Sequence, residues 1–357
     1  MIFYLCTYLI ILVFCVISSD TSKSNRVLIF SGIFVGLLLI AGLRHNVGTD
    51  YPTYKLFYDN PDQRDIQFEY IYTPVRNLLT FFGLPSPAFF LLCSFITFFY
   101  FFKGFKAYSV SIPLSILLFI TLGFYTNSFN IVRQFVALGL YFYFGLRYMK
   151  SRQFFHYLLT ILIISVFHIS ALLMLPFYFI VNLNIRAWQM LIVLLAAVLI
   201  NIGILSISLF TTPISAVLPP HYAGYLQFLE HYLSTLEEPL LVKFLNNVDK
   251  ITILFLLLKY KPKLLAADAS NKILINFYFI HVVFLFISRG LAELQRIGFY
   301  FSIFSLLAIP LLLLIPENKY GKAMMATGIT LLYTAYFFFF VLGKNVGEVI
   351  PYKTIFQ

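Results

Sequence analysis

"VLIFSGIFVGLLLIAGLRHNVGTDYPTYKLFY", Val27 to Tyr58, sets seventeen almost wholly apolar residues against an arginine, a histidine, an aspartate and a row of tyrosines. The apolar half, Val27–Leu43, approaches the roughly 20 residues that cross a bilayer as helix. Similar runs recur near 2–18, 86–102, 112–126, 129–146, 157–167, 169–182, 188–206, 248–258, 273–288, 297–315 and 323–342. Only 11% of the 357 residues are charged and 61% are hydrophobic, too little charge to cover a soluble surface. The expected fold is therefore all-α: a polytopic integral membrane helical bundle of about 12 transmembrane helices, one domain over 1–357.

The first run has no basic n-region and no small-residue cleavage site, so it reads as a retained helix rather than a signal peptide. Cys6, Cys15 and Cys93 sit inside apolar runs without paired spacing and read as small hydrophobes. A net charge of +11 would suggest nucleic acid in a soluble protein. Here it reads as loop charge that orients the helices, and no nucleic-acid partner is expected. With alternate loops assigned to the cytoplasm from 19–26 onward, the short inside loops carry most lysines and arginines, and both termini lie outside. If 157–180 were one helix with His168 at its middle, eleven crossings would result and every later loop would change sides.

Two long loops then lie outside, 44–85 and about 207–247, each expected to hold interfacial helix. Asp59, Asp62 and Asp65 in "DNPDQRD" lack a calcium-loop pattern and read as a solvated turn. No GxSxG, Walker A, HExxH, CxxC or dinucleotide loop occurs, so neither a metal nor a nucleotide cofactor is expected.

Ionisable groups are the costly ones at a membrane, roughly 2.5–3.5 kcal/mol at its centre on insertion scales, and they usually face a cavity or a partner. Arg44, Asp50, Arg133, His168, Arg289, Glu293 and Arg296 all fall at helix mouths on the outer side. In "TNSFNIVRQF" a helix is expected from Asn127 or Ser128, which places Asn130, Arg133 and Gln134 on one face. Arg133 would then stand where the helix dipole is positive, and a bound anion would offset the repulsion. Arg289, Glu293 and Arg296 are spaced as an ion-pair ladder with one positive charge in excess. His168 reads either as a packed core histidine or as a general base. Asp50 reads as an N-cap for a helix starting at Tyr51-Pro52, or as a polar site residue. Tyr51, Tyr54 and Tyr58 form one stripe, either an aromatic belt or a platform for sugar rings.

With these residues in place, the chain resembles a known family. "RHNVGTDYPTYKLF", "FEYIYTPVRNLLTFFG", "FNIVRQFVALGLYFY", "FHISALLMLPFYF", "QRIGFYF" and "IPYK" occur in the order seen in the EpsG family, Wzy-like bacterial polysaccharide repeat-unit polymerases. The resemblance implies a glycosyltransferase C-like membrane enzyme of the bacterial inner membrane, its site on the extracytoplasmic side. It would transfer a growing glycan from undecaprenyl diphosphate to an incoming lipid-linked repeat, without metal; the transfer itself is expected to invert the anomeric centre. It points to Arg44, Asp50, Tyr51, Glu69, Arg133, Gln134, His168 and Arg296. In the expected mechanism His168 is the base and Asp50 the second choice. Arg133, Arg289 and Arg296 grip diphosphate. Tyr51, Tyr54 and Glu69 hold sugar rings, and Arg44 binds a second diphosphate or anchors the loop. Gln134, Glu293 and Tyr300 complete the substrate-binding set. Expected partners are the lipid-linked oligosaccharides, the bilayer, a chain-length regulator and a flippase. Alternatives are a lipid-linked oligosaccharide flippase, a membrane O-acyltransferase and an O-antigen ligase.

Overall fold

Apolar runs punctuated by Ser, Pro and Asn caps become helices throughout the computed structural model, which describes residues 1–19, 21–60, 68–201, 246–288, 292–345 and 347–356. Residues 61–67, with Asp62 and Asp65, and 202–245, nearly all of the second long loop, lie outside the described residues. Among the described residues there is no strand, only an isolated antiparallel bridge between Arg44 and Thr354. Contacts divide the chain into two compact units, Met1–Tyr178 with Leu306–Gln357, and Phe179–Ser305.

The first unit begins with α1 (Ile2–Ser19) and α2 (Lys23–Gly42), the latter capped by Ser22, whose Oγ accepts from Asn25 N–H at 3.3 Å. The loop 44–85 holds two short helices, α3 (Tyr51–Asp59) and α4 (Tyr72–Phe81). There follow α5 (Ser86–Tyr108), α6 (Ile112–Thr121) and the single turn α7 (Phe124–Asn127). Next, α8 (Val132–Leu140) runs through a π-turn (Tyr141–Gly145) into α9 (Leu146–Lys150), and α10 (Phe154–Phe167) returns alongside it. At His168 the backbone is extended, φ −160° and ψ 116°, and a 3-10 helix (Ile169–Met174) follows. The two-limb reading of 157–180 is thus the one the backbone adopts. After α11 (Phe177–Asn182), the second unit continues with α12 (Ala187–Asn201), α13 (Val248–Lys259), α14 (Lys261–Ala267), α15 (Asn271–Ile287) and α16 (Ala292–Ser302). A short α17 (Ser305–Ala308), a 3-10 helix (Ile309–Leu314), α18 (Lys319–Tyr336) and a π-turn (Phe337–Leu342) complete the set.

By length and apolar composition, four described stretches reach the span of a bilayer: Lys23–Gly42, Ser86–Tyr108, Leu294–Leu314 and Lys319–Leu342. Five more apolar helices are shorter, 10–17 residues. Large apolar side chains such as Leu28, Ile163 and Leu331 lie on the outside of the helices, as a lipid solvent permits. Within lipid, helices associate by close packing rather than by escape from water. In the first unit that packing is aromatic. Phe101 lies 4.9 Å from both Phe119 of α6 and Phe142 beyond α8, with Phe98 against Phe119 at 5.8 Å. Each such pair adds about 0.5–1.5 kcal/mol beyond area burial.

The stretch after α2 is fastened from three directions. His45 N–H donates to Lys353 O at 2.9 Å, Gly48 N–H to Glu348 O at 3.1 Å and Thr49 N–H to Gly347 O at 3.2 Å. The C-terminal "IPYK" segment therefore runs antiparallel to "RHNVGTD". Asn130 joins both, donating from Nδ2 to Gly347 O and accepting from Thr49 Oγ1, each at 3.2 Å. Gly48 (φ 100°) and Gly347 (φ 81°) are both left-handed, and a Cβ on either would collide with the Asn130 side chain. Arg44 is fully buried. Its guanidinium donates to Ala41 O and, at 2.9 Å, to Phe129 O, and lies over Phe90 at 4.5 Å and Phe129 at 4.9 Å. Burial pulls its pKa down to about 10, which still leaves it charged at neutral pH.

Replacing Arg44 by Met strands two carbonyls that burial denies to water. The expected cost is roughly 2–4 kcal/mol, and Lys should not restore it, since one ammonium cannot bridge both carbonyls beneath aromatic faces. Thermal unfolding of the detergent-solubilised protein measures this. An unchanged midpoint in Arg44→Met would remove Arg44 from the scaffold.

Candidate functional site

The loop 44–85 grips the first turn of α8. Tyr51, Tyr54, Phe57 and Tyr58 form one stripe on α3 and are all buried. Tyr51 stacks on Phe90 at 4.7 Å with an interplanar angle of 8°, Phe57 meets Phe68 at 4.4 Å, and Tyr58 Oη donates to Leu84 O at 2.6 Å. From α4, Arg76 donates to Phe57 O at 3.2 Å and its guanidinium lies over that ring at 5.0 Å. Tyr54 Oη accepts from Arg133 N–H at 3.4 Å, and Tyr72 Oη donates to Arg133 O at 3.5 Å. Both peptide groups flanking Arg133 are thereby tied to this loop.

This packing corrects several expectations. The tyrosine stripe faces the start of α5, so its rings are walls rather than an open platform. Asp50 makes no side-chain cap, since its backbone is helical at φ −91° and ψ −6°; its Oδ1 accepts from Thr49 Oγ1 at 3.2 Å instead. Asp59 forms an ion pair with Lys55. The helix starts at Val132 rather than Asn127 or Ser128, because α7 and a turn intervene. Asn130 consequently serves the Gly48–Gly347 junction, not a face shared with Arg133. Gln134 is buried among core residues. Of the two roles weighed for Arg44, its burial suits the anchor and not a diphosphate ligand.

What the structure does bring together is a cluster from three distant segments. Glu69 Oε2 pairs with Arg133 Nη1, and Glu69 Oε1 lies 2.7 Å from His168 Nδ1. These partners are 64 and 99 residues from Glu69 in the chain. The topology explains the meeting. Arg133 opens a helical run whose neighbour α10 comes back antiparallel and ends at His168, so both side chains reach the same end of the hairpin. Phe68 then places its ring 4.1 Å from the Arg133 guanidinium carbon, one residue before Glu69. The three side chains retain 16–23% exposure, enough to meet a ligand without dissolving their contacts in bulk water.

The electrostatics fix the hydrogen on the imidazole. Burial pushes the Glu69 carboxyl up, but the His168 hydrogen bond and the Arg133 charge outweigh it and hold the pKa below the usual carboxylate range. An ionised carboxylate only accepts, so His168 Nδ1 carries the hydrogen. In the neutral tautomer with that hydrogen, the lone pair is on Nε2. A carboxylate on Nδ1 and a basic Nε2 is an arrangement for proton abstraction, with a guanidinium alongside for an anion.

Sequence reasoning marked both Arg133 and His168 as site residues, and both side chains bond to Glu69. Glu69 was assigned to sugar rings; its place is between the other two. Arg289 lies outside the described residues, as does the Glu293 side chain. Arg296, exposed, and Tyr300, fully buried, belong to α16 in the second unit, so Tyr300 is packed away from any ligand at the helix surface. Phe68 and Tyr72 were not singled out, although both lie in the quoted stretch "FEYIYTPVRNLLTFFG" beside Glu69. Among the described residues no group of three His, Cys, Asp or Glu is placed to hold a metal ion.

Glu69 has a depressed pKa in the folded state, so its contribution to stability is full above the unfolded value of about 4.3 and is lost as pH falls through the folded value. The stability advantage of wild type over Glu69→Gln should therefore shrink below about pH 4.3. Thermal unfolding of both proteins across acidic pH reads this. An advantage that grows on acidification would contradict the assignment.

The family model described as the EpsG family matches residues 27–354, nearly the whole chain. No curated protein matches, and no solved structure matches.

Proposed function

The chain belongs to the EpsG family, a Wzy-like polysaccharide polymerase family, and from that premise we propose that it is a repeat-unit polymerase with Glu69, Arg133 and His168 at its chemical centre. Membership and the apolar helices make it a multi-pass membrane protein of polysaccharide biosynthesis. The finer reading rests chiefly on the Glu69 bridge between His168 and Arg133.

In this reading the donor is a glycan on undecaprenyl diphosphate and the acceptor is the terminal hydroxyl of a second lipid-linked repeat. The acceptor oxygen attacks the anomeric carbon. The bond from that carbon to the phosphate oxygen breaks, and its electron pair leaves with the diphosphate. His168 Nε2 takes the hydroxyl proton, and the imidazolium formed is stabilised by the Glu69 carboxylate on Nδ1. Attack from the face opposite the departing phosphate inverts the anomeric centre. Arg133, at the positive end of α8, meets the charge that builds on the leaving diphosphate. Its bond to Glu69 aims the guanidinium, and the tyrosine-lined loop fixes the peptide from which it springs. In this reading the site lies on the extracytoplasmic side, an orientation supported by the lysines and arginines gathered in alternate short loops. For Arg289 and Arg296 a role in diphosphate binding is proposed from sequence, and for Asp50 one in sugar contact.

The test is incubation of purified protein with lipid-linked repeat. Wild type should produce a ladder of products. His168→Asn and Glu69→Gln should slow it by about 10²–10⁴-fold, the usual worth of a positioned base. Arg133→Ala should leave lipid carrying single repeats. An undiminished ladder in His168→Asn would overturn the base assignment. Accumulation of single repeats on the inner leaflet in a deletion strain would indicate a flippase instead.

A further inference from the structure

The second unit carries a cavity of about 500 Å³ between α11, α12 and α15, lined mainly by apolar side chains that include Val193, Phe279, Ile280 and Val283. Its polar rim is Asn184 and Gln189. At that rim two lysines converge. Lys272 Nζ donates to Asn184 Oδ1 at 3.1 Å, and Lys261 Nζ donates to Ile185 O at 2.5 Å. Burial and the neighbouring Lys272 charge pull the Lys261 pKa below its usual value. The nearby Asp268 carboxylate accepts from Ser270 N–H at 2.8 Å and from Ser270 Oγ at 2.7 Å.

Three features name the occupant. The paired ammonium groups call for an anion. Trp188, the chain's only tryptophan, is 54% exposed beside Arg186 at the start of α12, the place an indole takes at headgroup level. Finally, Phe279, Ile280 and Val283 line the cavity over about one turn of α15, and Lys272 lies on the same side roughly 10 Å nearer the helix start, so the apolar wall continues from the ammonium end. We propose that this groove binds an anionic phospholipid, its phosphate on Lys261 and Lys272 and one acyl chain along Phe279, Ile280 and Val283. The inference is independent of the Glu69 cluster.

Thermal-shift titration of the purified full-length protein in a non-ionic detergent tests it, with phosphatidylglycerol and phosphatidylcholine as probes. Phosphatidylglycerol should stabilise wild type, and Lys261→Gln with Lys272→Gln should raise the half-saturating concentration about 30-fold, roughly fivefold for each basic contact. Val283→Trp, which fills the groove, should abolish the response, while exposed Lys263→Gln should keep it. Should the double variant not fold, Lys272→Gln alone and Val283→Trp carry the same comparison. Equal response to both lipids, or a wild-type response in the lysine variants, would overturn the site. Saturation by undecaprenyl phosphate at lower concentration than phosphatidylglycerol would overturn the choice of occupant.

Discussion

One carboxylate with two partners organises the candidate site. Glu69 reaches out of a loop to a guanidinium at the start of one helix and an imidazole at the end of its neighbour. Each partner needs the acid for a different reason. Arg133 sits where the helix dipole is positive, a place unfavourable to a cation unless a negative charge stands beside it. His168 needs its Nδ1 hydrogen held so that Nε2 faces outward as a base. A single residue at 69 meets both requirements, which couples the charge and the tautomer of the site.

The scaffold around this cluster is aromatic and pinned by backbone. The C-terminal segment lies along residues 43–49, and Asn130 ties both segments together three residues before Arg133. Buried Arg44 closes the same junction against Ala41 and Phe129. Order in the loop is thus transmitted to the first turn of α8 through short covalent distances. The buried tyrosines do similar duty, with Tyr54 and Tyr72 holding the two peptide groups of Arg133.

Much of the helical layout was legible in the sequence because lipid demands long apolar runs. Val27–Leu43 foreshadows α2, and the polar interruption at His168 foreshadows the break in the backbone. Arg133 in the first turn of one helix and His168 at the end of another were legible as polar interruptions of apolar runs. The remainder depended on contacts with no local period. A stripe at i, i+3 and i+7 looks the same whether it faces sugar or phenylalanine, and it is the position of Phe89 and Phe90, with Phe68, that covers Tyr51 and Tyr54. Likewise nothing local to Glu69 announces a partner 99 residues away. "IPYK" was visible as a motif, but its pairing with "RHNVGTD" joins opposite ends of the chain.

The central claim is that Glu69 and His168 act as one unit. A double-mutant cycle on the polymerisation rate, with Glu69→Gln, His168→Asn and the combined variant, measures that coupling. The account predicts that once His168 is replaced, losing the Glu69 carboxylate costs little more. Losses that simply multiply would contradict it, and would mean that the two residues work apart.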